Sequence, residues 1–284
     1  MNELIEKYKR ERLYGVYPDI NDFTETSYFS CKVKDIVKYL SKHAIKKVVV
    51  GFSGGADSTL VLLLLSLAKR YYDFELHAVT IVSSNPKEST LDYKYPQSIL
   101  ESSLFNKVIK TKLNYTHINS ISNTFNFINL SDETIHQSYY QSIYSLLFTY
   151  AQHIGGITVG TTNLDELSYV GWFGKNSDMV VDLQIISDMH KFEIMHILKQ
   201  FNFNTITEPT GDIPGGKTDI EYFNCSYDEL AYYSDCKCKG IDPGFVLESV
   251  DKLHNKNYHK YLGQTFNPIF LVNSTRFFIY KIPN

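Results

Sequence analysis

From residue 51 to residue 59 the chain reads Gly-Phe-Ser-Gly-Gly-Ala-Asp-Ser-Thr, a run of small, hydroxylated and acidic residues suited to holding an anion. Gly51, Gly54 and Gly55 let the backbone approach a ligand closely, and a turn that opens a helix leaves its first N–H groups unpaired. Ser53 and Ser58 add hydroxyl donors, and the Asp57 carboxylate stands where a phosphate would otherwise be welcome. Two anions side by side call for a bridging cation, most simply Mg²⁺. The lysine of the Walker loop, Gly-x-x-x-x-Gly-Lys-[Ser/Thr], is missing, so a phosphate here would be held in another way. The competing reading is a tight strand-to-helix connection with no ligand. The apolar strand before the turn and the leucine-rich helix after it weigh against that.

A second set of reactive types follows Ile157-Thr158-Val159, in Gly160-Thr161-Thr162-Asn163-Leu164-Asp165-Glu166 and then Gly171-Trp172-Phe173-Gly174-Lys175-Asn176-Ser177-Asp178. Acids just after a strand are most often helix caps, and Asp165 is read as one. Glu166 is the better candidate to share a cation with Asp57, provided the two strands end at one crevice. Further along, Lys191 falls in the first turn of an expected helix. Thr207 to Thr218, rich in Gly and Pro, reads as a flexible loop, either a lid over the site or a surface linker.

The elements that must carry these residues alternate. Val48-Val49-Val50 lies in a strand expected over Lys47–Phe52, followed by a helix through Leu60 to Leu65. Further strands are expected at Glu75–Val82, Val108–Leu113 and Ile157–Thr161, with a short apolar run at Val180–Ile186. Val33, Ile36, Val37 and Leu40 have helical spacing, and a long helix is expected over Ser131–His153. Strands separated by helices imply an α/β fold, a doubly wound parallel sheet with flanking helices and a ligand site at the carboxyl ends of its strands. Residues 1–30 read as an N-terminal extension on the surface, and 31–284 as a single domain.

At 284 residues the chain can bury one large α/β core. Its net charge of −3 and scattered Lys and Arg give no sign of a nucleic-acid surface. The longest apolar run, Leu60 to Leu65, is far shorter than the roughly 20 residues of a membrane helix. The charged start, Met1 to Lys7, has no apolar signal core, so a cytoplasmic location is expected. Cys31, Cys225, Cys236 and Cys238 lack the paired spacing of a zinc site and read as free thiols.

The string Ser53-Gly54-Gly55-Ala56-Asp57-Ser58 resembles the pyrophosphate loop (PP-loop) of the N-type ATP pyrophosphatases, whose fold is adenine nucleotide alpha hydrolase-like. Several further segments narrow the resemblance: Gly160-Thr161, Glu166, Gly171-Trp172-Phe173, Lys175, Asp178, Asp182, Lys191, Glu208-Pro209-Thr210 and Ser226-Tyr227-Asp228-Glu229. With these the chain resembles the NAD synthetase family from about Val33 to Lys260, and His259-Lys260 is similar to that family's His-Lys pair.

The resemblance implies ATP-dependent amidation of nicotinic acid adenine dinucleotide through an acyl-adenylate, with release of AMP and pyrophosphate. It implies that Gly51, Ser53, Gly54, Gly55, Asp57, Ser58, Thr161, Lys191 and Thr210 hold ATP, with Asp57, Lys191 and Thr210 catalytic. By the same resemblance Trp172, Phe173, Lys175, Asp178, Asp182, His259 and Lys260 hold the acceptor, and Asp57 and Glu166 hold Mg²⁺. Family members are homodimers. Glutamine-dependent relatives carry an additional amidohydrolase domain, for which this chain has no room, so ammonia is the expected donor unless a separate glutaminase docks.

Two segments depart from the family text. Gln141-Ser142-Ile143-Tyr144-Ser145 stands where a Lys-Ala-Arg-x-Arg patch is usual, and Ser83 to Glu88 lacks the usual Pro-Tyr-Gly-Val-Gln. Three alternatives therefore stay open: another PP-loop ligase, an enzyme acting on a different carboxylate, or a nucleotide-binding relative without catalysis.

Overall fold

The computed structural model describes residues 2–13, 28–82, 100, 114–119, 132–174, 176–201, 203, 218–262, 268–272 and 276. Six strands run through them: β1 (Lys47–Gly51), β2 (Glu75–Val82), β3 (Asn114–Asn119), β4 (Ile157–Gly160), β5 (Leu183–Gln184) and β6 (Ile269–Phe270). They form one sheet in the order β3-β2-β1-β4-β5-β6, with every neighbouring pair parallel. The strand order reverses between β1 and β4, and a crevice opens there at the carboxyl ends of the strands.

Side-chain alternation along β1 sends its residues to two different layers. Val48 and Val50 face the larger core, built from α2 (Tyr28–Lys42), α3 (Ala56–Ala68) and α6 (Lys191–Gln200). Val49, with Val79 of β2, meets Leu147 and Ala151 of α4 (Asp132–Ile154) on the opposite face. Both faces are thus covered, which makes the sheet doubly wound. In α3 every residue from Leu60 to Leu65 is 0% exposed, so the helix is apolar all round because it is packed all round.

The remaining helices are α5 (Leu164–Leu167), α7 (Asp219–Phe223), α8 (Tyr227–Lys239) and α9 (Glu248–Asn257), continued by a 3₁₀ turn at Tyr258–Lys260. Helix α8 begins with Ser226 as N-cap, its hydroxyl accepting from the Glu229 N–H at 3.3 Å and the Glu229 carboxylate accepting from the Ser226 N–H at 2.8 Å. Helix α1 (Asn2–Leu13) lies outside the sheet, mostly exposed, and packs on α8.

The sheet and most elements match the reading of the sequence, with differences at its edges. The expected strand Val108–Leu113 lies outside the described residues, and the third described strand is Asn114–Asn119. In the run Val180–Ile186 only Leu183–Gln184 pairs as a strand, while Val181, Ile185 and Ile186 are buried in turns. The two-residue β6 was not anticipated. Among the described residues no helix is long and apolar enough to cross a membrane.

Candidate active site

The glycine turn leaves β1 at the crevice. Gly54 sits at φ +83°, in the left-handed region that a side chain would strain, and so lets the chain double back into α3. Gly55 occupies the N-cap position and supplies no side chain, so the N–H groups opening α3 stay available for a ligand. Ser53 and Ser58 hydroxyls lie 3.2 Å apart, with Ser53 also accepting from the Gly55 N–H at 3.2 Å. Hydroxyls, helix dipole and N–H groups therefore converge on one spot suited to phosphate.

Asp57, in the first turn of α3, forms an ion pair with Lys191 Nζ, which comes from the first turn of α6. Its other carboxylate oxygen accepts from Asn163 Nδ2 at 3.2 Å. Asn163 is the N-cap of α5: its side chain accepts from the Glu166 N–H at 3.1 Å, and the Glu166 carboxylate accepts from the Asn163 N–H at 3.2 Å. Segments after β1, β4 and β5 are thus joined at the switch point, with both expected acids there. Thr161 lies half-buried between β4 and Asn163.

Electrostatics in this corner are tense. Burial, then the neighbouring Asp57, pushes the Glu166 carboxyl well above the usual range, with Asp178 adding to the effect. Burial works against the Lys191 ammonium, but Asp57, reinforced by Glu166, more than offsets it and holds the charge more firmly than in an ordinary lysine. Among the described residues no three His, Cys, Asp or Glu side chains gather into a metal cage. Two acids suit Mg²⁺, which is usually held by one or two carboxylates and completed by water and substrate phosphates. Glu166, whose ionisation is penalised here, is an acid that a cation would relieve.

The other expected residues fall into three groups. Asp178 is close to the site but already well bound, accepting from the Gly174 N–H at 2.8 Å, the Ser177 hydroxyl at 3.0 Å and the Tyr144 hydroxyl at 2.9 Å. Trp172 is half-buried against Tyr222 and Phe223, while Phe173, 3% exposed, packs with Leu167 and Met179. Burial gives Phe173 a packing role. Lys260 is buried, donating to the Gly171 carbonyl at 3.1 Å with its ammonium 5.6 Å from the Phe173 ring centre, so it supports this turn from behind.

One expected acceptor residue is not brought to the site. Asp182 accepts from the Thr158 N–H and hydroxyl at 2.7 and 2.8 Å, which ties it to the start of β4, at the amino ends of the strands and away from the crevice. His259 is exposed, within 3.0 Å of the Lys256 carbonyl. Lys175, Thr210 and the loop that includes Glu208 and Lys217 lie outside the described residues.

The structure adds residues that sequence reasoning passed over. Asn163 had a readable signal, since Asn three places before Glu is a capping-box pattern. Tyr144 had none, because its link to Asp178 crosses from α4. Asp165 is a cap, as expected, but for α6: its Oδ2 accepts from the Lys191 N–H at 2.7 Å.

A family model described as NAD synthase matches residues 28–260. The chain is similar to NH3-dependent NAD(+) synthetases. It is 26% identical over 253 residues to that of Mesoplasma florum, covering 83% of this chain and 94% of that protein. It is 27% identical over 238 residues to that of Thermoplasma volcanium, covering 81% and 93%. In fold it is similar to NMN synthetase from Francisella tularensis, with TM-score 0.65, 21% identity, and coverage of 89% of this chain and 100% of that one. An NH3-dependent NAD synthetase from Campylobacter jejuni gives TM-score 0.57 at 19% identity, covering 84% and 95%. With the pyrophosphate turn, the Asp57–Lys191 pair and the Asn163–Glu166 cap inside the span that the family model matches, the chain belongs to the NAD synthase family.

Proposed function

We propose that this C–N ligase amidates nicotinic acid adenine dinucleotide to NAD, with ammonia as nitrogen donor and ATP as co-substrate. The observation that carries the reading is the uncapped start of α3 facing the Asp57–Lys191 pair at the switch point. A carboxylate is a poor electrophile and must be activated. Its oxygen attacks the α-phosphorus of ATP, a P–O bond to pyrophosphate breaks, and an acyl-adenylate forms. Ammonia then attacks the acyl carbon, loses a proton, and AMP leaves. Neither step needs a protein nucleophile; both need positioning and charge neutralisation.

The N–H groups of the turn and of α3, with Ser53 and Ser58, hold the departing pyrophosphate. Lys191 moves its ammonium from Asp57 to a phosphate oxygen, where negative charge grows in the transition state. Asp57 and Glu166 would hold Mg²⁺, which supplies further neutralisation of the phosphates. Thr161 and Thr210 complete the phosphate contacts, while Trp172, Lys175 and Asp178 receive the nicotinate end. A homodimer and a cytoplasmic setting belong to the same proposal; the four free cysteines support the second, and sedimentation tests the first.

One observation favours a second reading of the acceptor. Tyr144 occupies the segment where the resemblance expects a basic patch, and its hydroxyl turns inward onto Asp178. A different nicotinate-bearing carboxylic acid, with fewer phosphates to hold, would suit that surface. The test supplies ATP, Mg²⁺ and ammonium with the dinucleotide acid and measures pyrophosphate and NAD. Equal amounts of both support the proposal, and pyrophosphate formed only with another acid supports the second reading.

A further inference from the structure

Helix α1 precedes the span matched by the family model, yet it reaches the residue beside Lys191. The Tyr8 hydroxyl donates to Asp235 Oδ2 at 2.9 Å and lies 3.0 Å from His190 Nε2, which is itself 3.2 Å from Asp235 Oδ1. On the other side of the ring, His190 Nδ1 lies 2.6 Å from Asp165 Oδ1. Asp165 Oδ2 then accepts from the Lys191 N–H at 2.7 Å, and Glu193 accepts from the His190 N–H at 2.8 Å.

The imidazole is fully buried, with the Asp165 carboxylate at Nδ1 and the Tyr8 hydroxyl and Asp235 carboxylate beside Nε2, a setting that suits a ring donating from both sides. The groups facing it are Tyr8 and Arg12 from α1, Asp165 from α5 and Asp235 from α8, while Glu193 of α6 meets the backbone N–H of the same residue. The acids outweigh burial and Arg12, and the His190 pKa is raised to about 9, so the ring is a cation at neutral pH. Asp165 caps the start of α6 through the Lys191 N–H, and the ring fixes how Asp165 is turned.

We propose that His190 is a positioning residue for Lys191, and that Tyr8 of α1 holds its ring in register. The chain of contacts runs from Tyr8 and Asp235 through His190 and Asp165 to the Lys191 backbone, and from there the side chain extends to the phosphate corner. This rests on the phosphate role given to Lys191 above. Loss of the ring frees Asp165, lets the start of α6 drift, and misplaces the ammonium relative to a bound triphosphate.

The test is a double-mutant cycle on MgATP binding by calorimetry, in the full chain and below the melting onset of every variant. Lys191→Ala should weaken binding by about tenfold or more, and His190→Gln by about tenfold, the size expected for one charge-assisted contact. The double variant should bind like Lys191→Ala alone, because His190 acts only through the lysine.

If His190→Gln binds ATP as the parent does, or if its loss multiplies in full onto Lys191→Ala, the positioning role is overturned while the role of Lys191 stands. If Lys191→Ala itself binds normally, both fall. Tyr8→Phe keeps its ring against Phe192 and Tyr232 and serves if His190 variants do not fold. It should weaken ATP binding severalfold with Lys191 present and have no effect without it; equal effects in both backgrounds would overturn the proposal.

Discussion

Asp57 and Lys191 neutralise each other across a gap of more than a hundred residues, and neither contact could be read from local sequence. Their types could, because a carboxylate inside a phosphate-binding turn makes sense only with cations nearby. Asp57→Asn should abolish pyrophosphate release while leaving circular dichroism and melting close to the parent's; full turnover in that variant would remove the role assigned to the acid. His190 gives a pH prediction. Its folded pKa of about 9 lies above the ordinary 6.5, so its stabilisation is complete below 6.5 and is lost as pH rises through about 9. Melting temperature should fall across that window in the parent and much less in His190→Gln. Nothing in Asp188-Met189-His190-Lys191 signals this, since the ring's partners come from residues 8, 165 and 235.

Helix α3 was legible from end to end because its cause is local: a glycine turn starts it, and leucines on every side require burial on every side. Leu64→Ala should destabilise the fold by about 2–5 kcal/mol in denaturant unfolding, the range for a large-to-small change in a close-packed core. Ser226→Ala, which removes the hydroxyl capping α8, should cost about 1 kcal/mol on the same measurement. Strands β5 and β6 were harder to read, with two residues each and no room for alternation to show. Their positions are set by parallel pairing with β4 and with each other, a tertiary fact that apolar content alone cannot convey. Asp182 shows the same limit. Its motif places it with the acceptor residues, yet its carboxylate is bound to Thr158 at the far end of the strands.

Across the whole molecule, the parallel order with its reversal beside β1 makes a single crevice where β1, β4 and β5 deliver their loops together. That much followed from alternating strands and helices. Saturating MgATP should therefore stabilise the entire fold, by about 2.7 kcal/mol at a hundred times the dissociation constant, and Asp57→Asn should cancel most of the thermal shift. The surrounding ion network was not legible, because it joins distant segments. Glu193, buried in α6, takes Arg12 at 2.6 Å from one direction and Arg276 from the other. The first of these guanidinium groups stands 181 residues before Glu193 in the chain and the second 83 residues after it. The corner behind Lys191 is therefore completed only once segments from both sides of α6 in the chain have docked against this one acid.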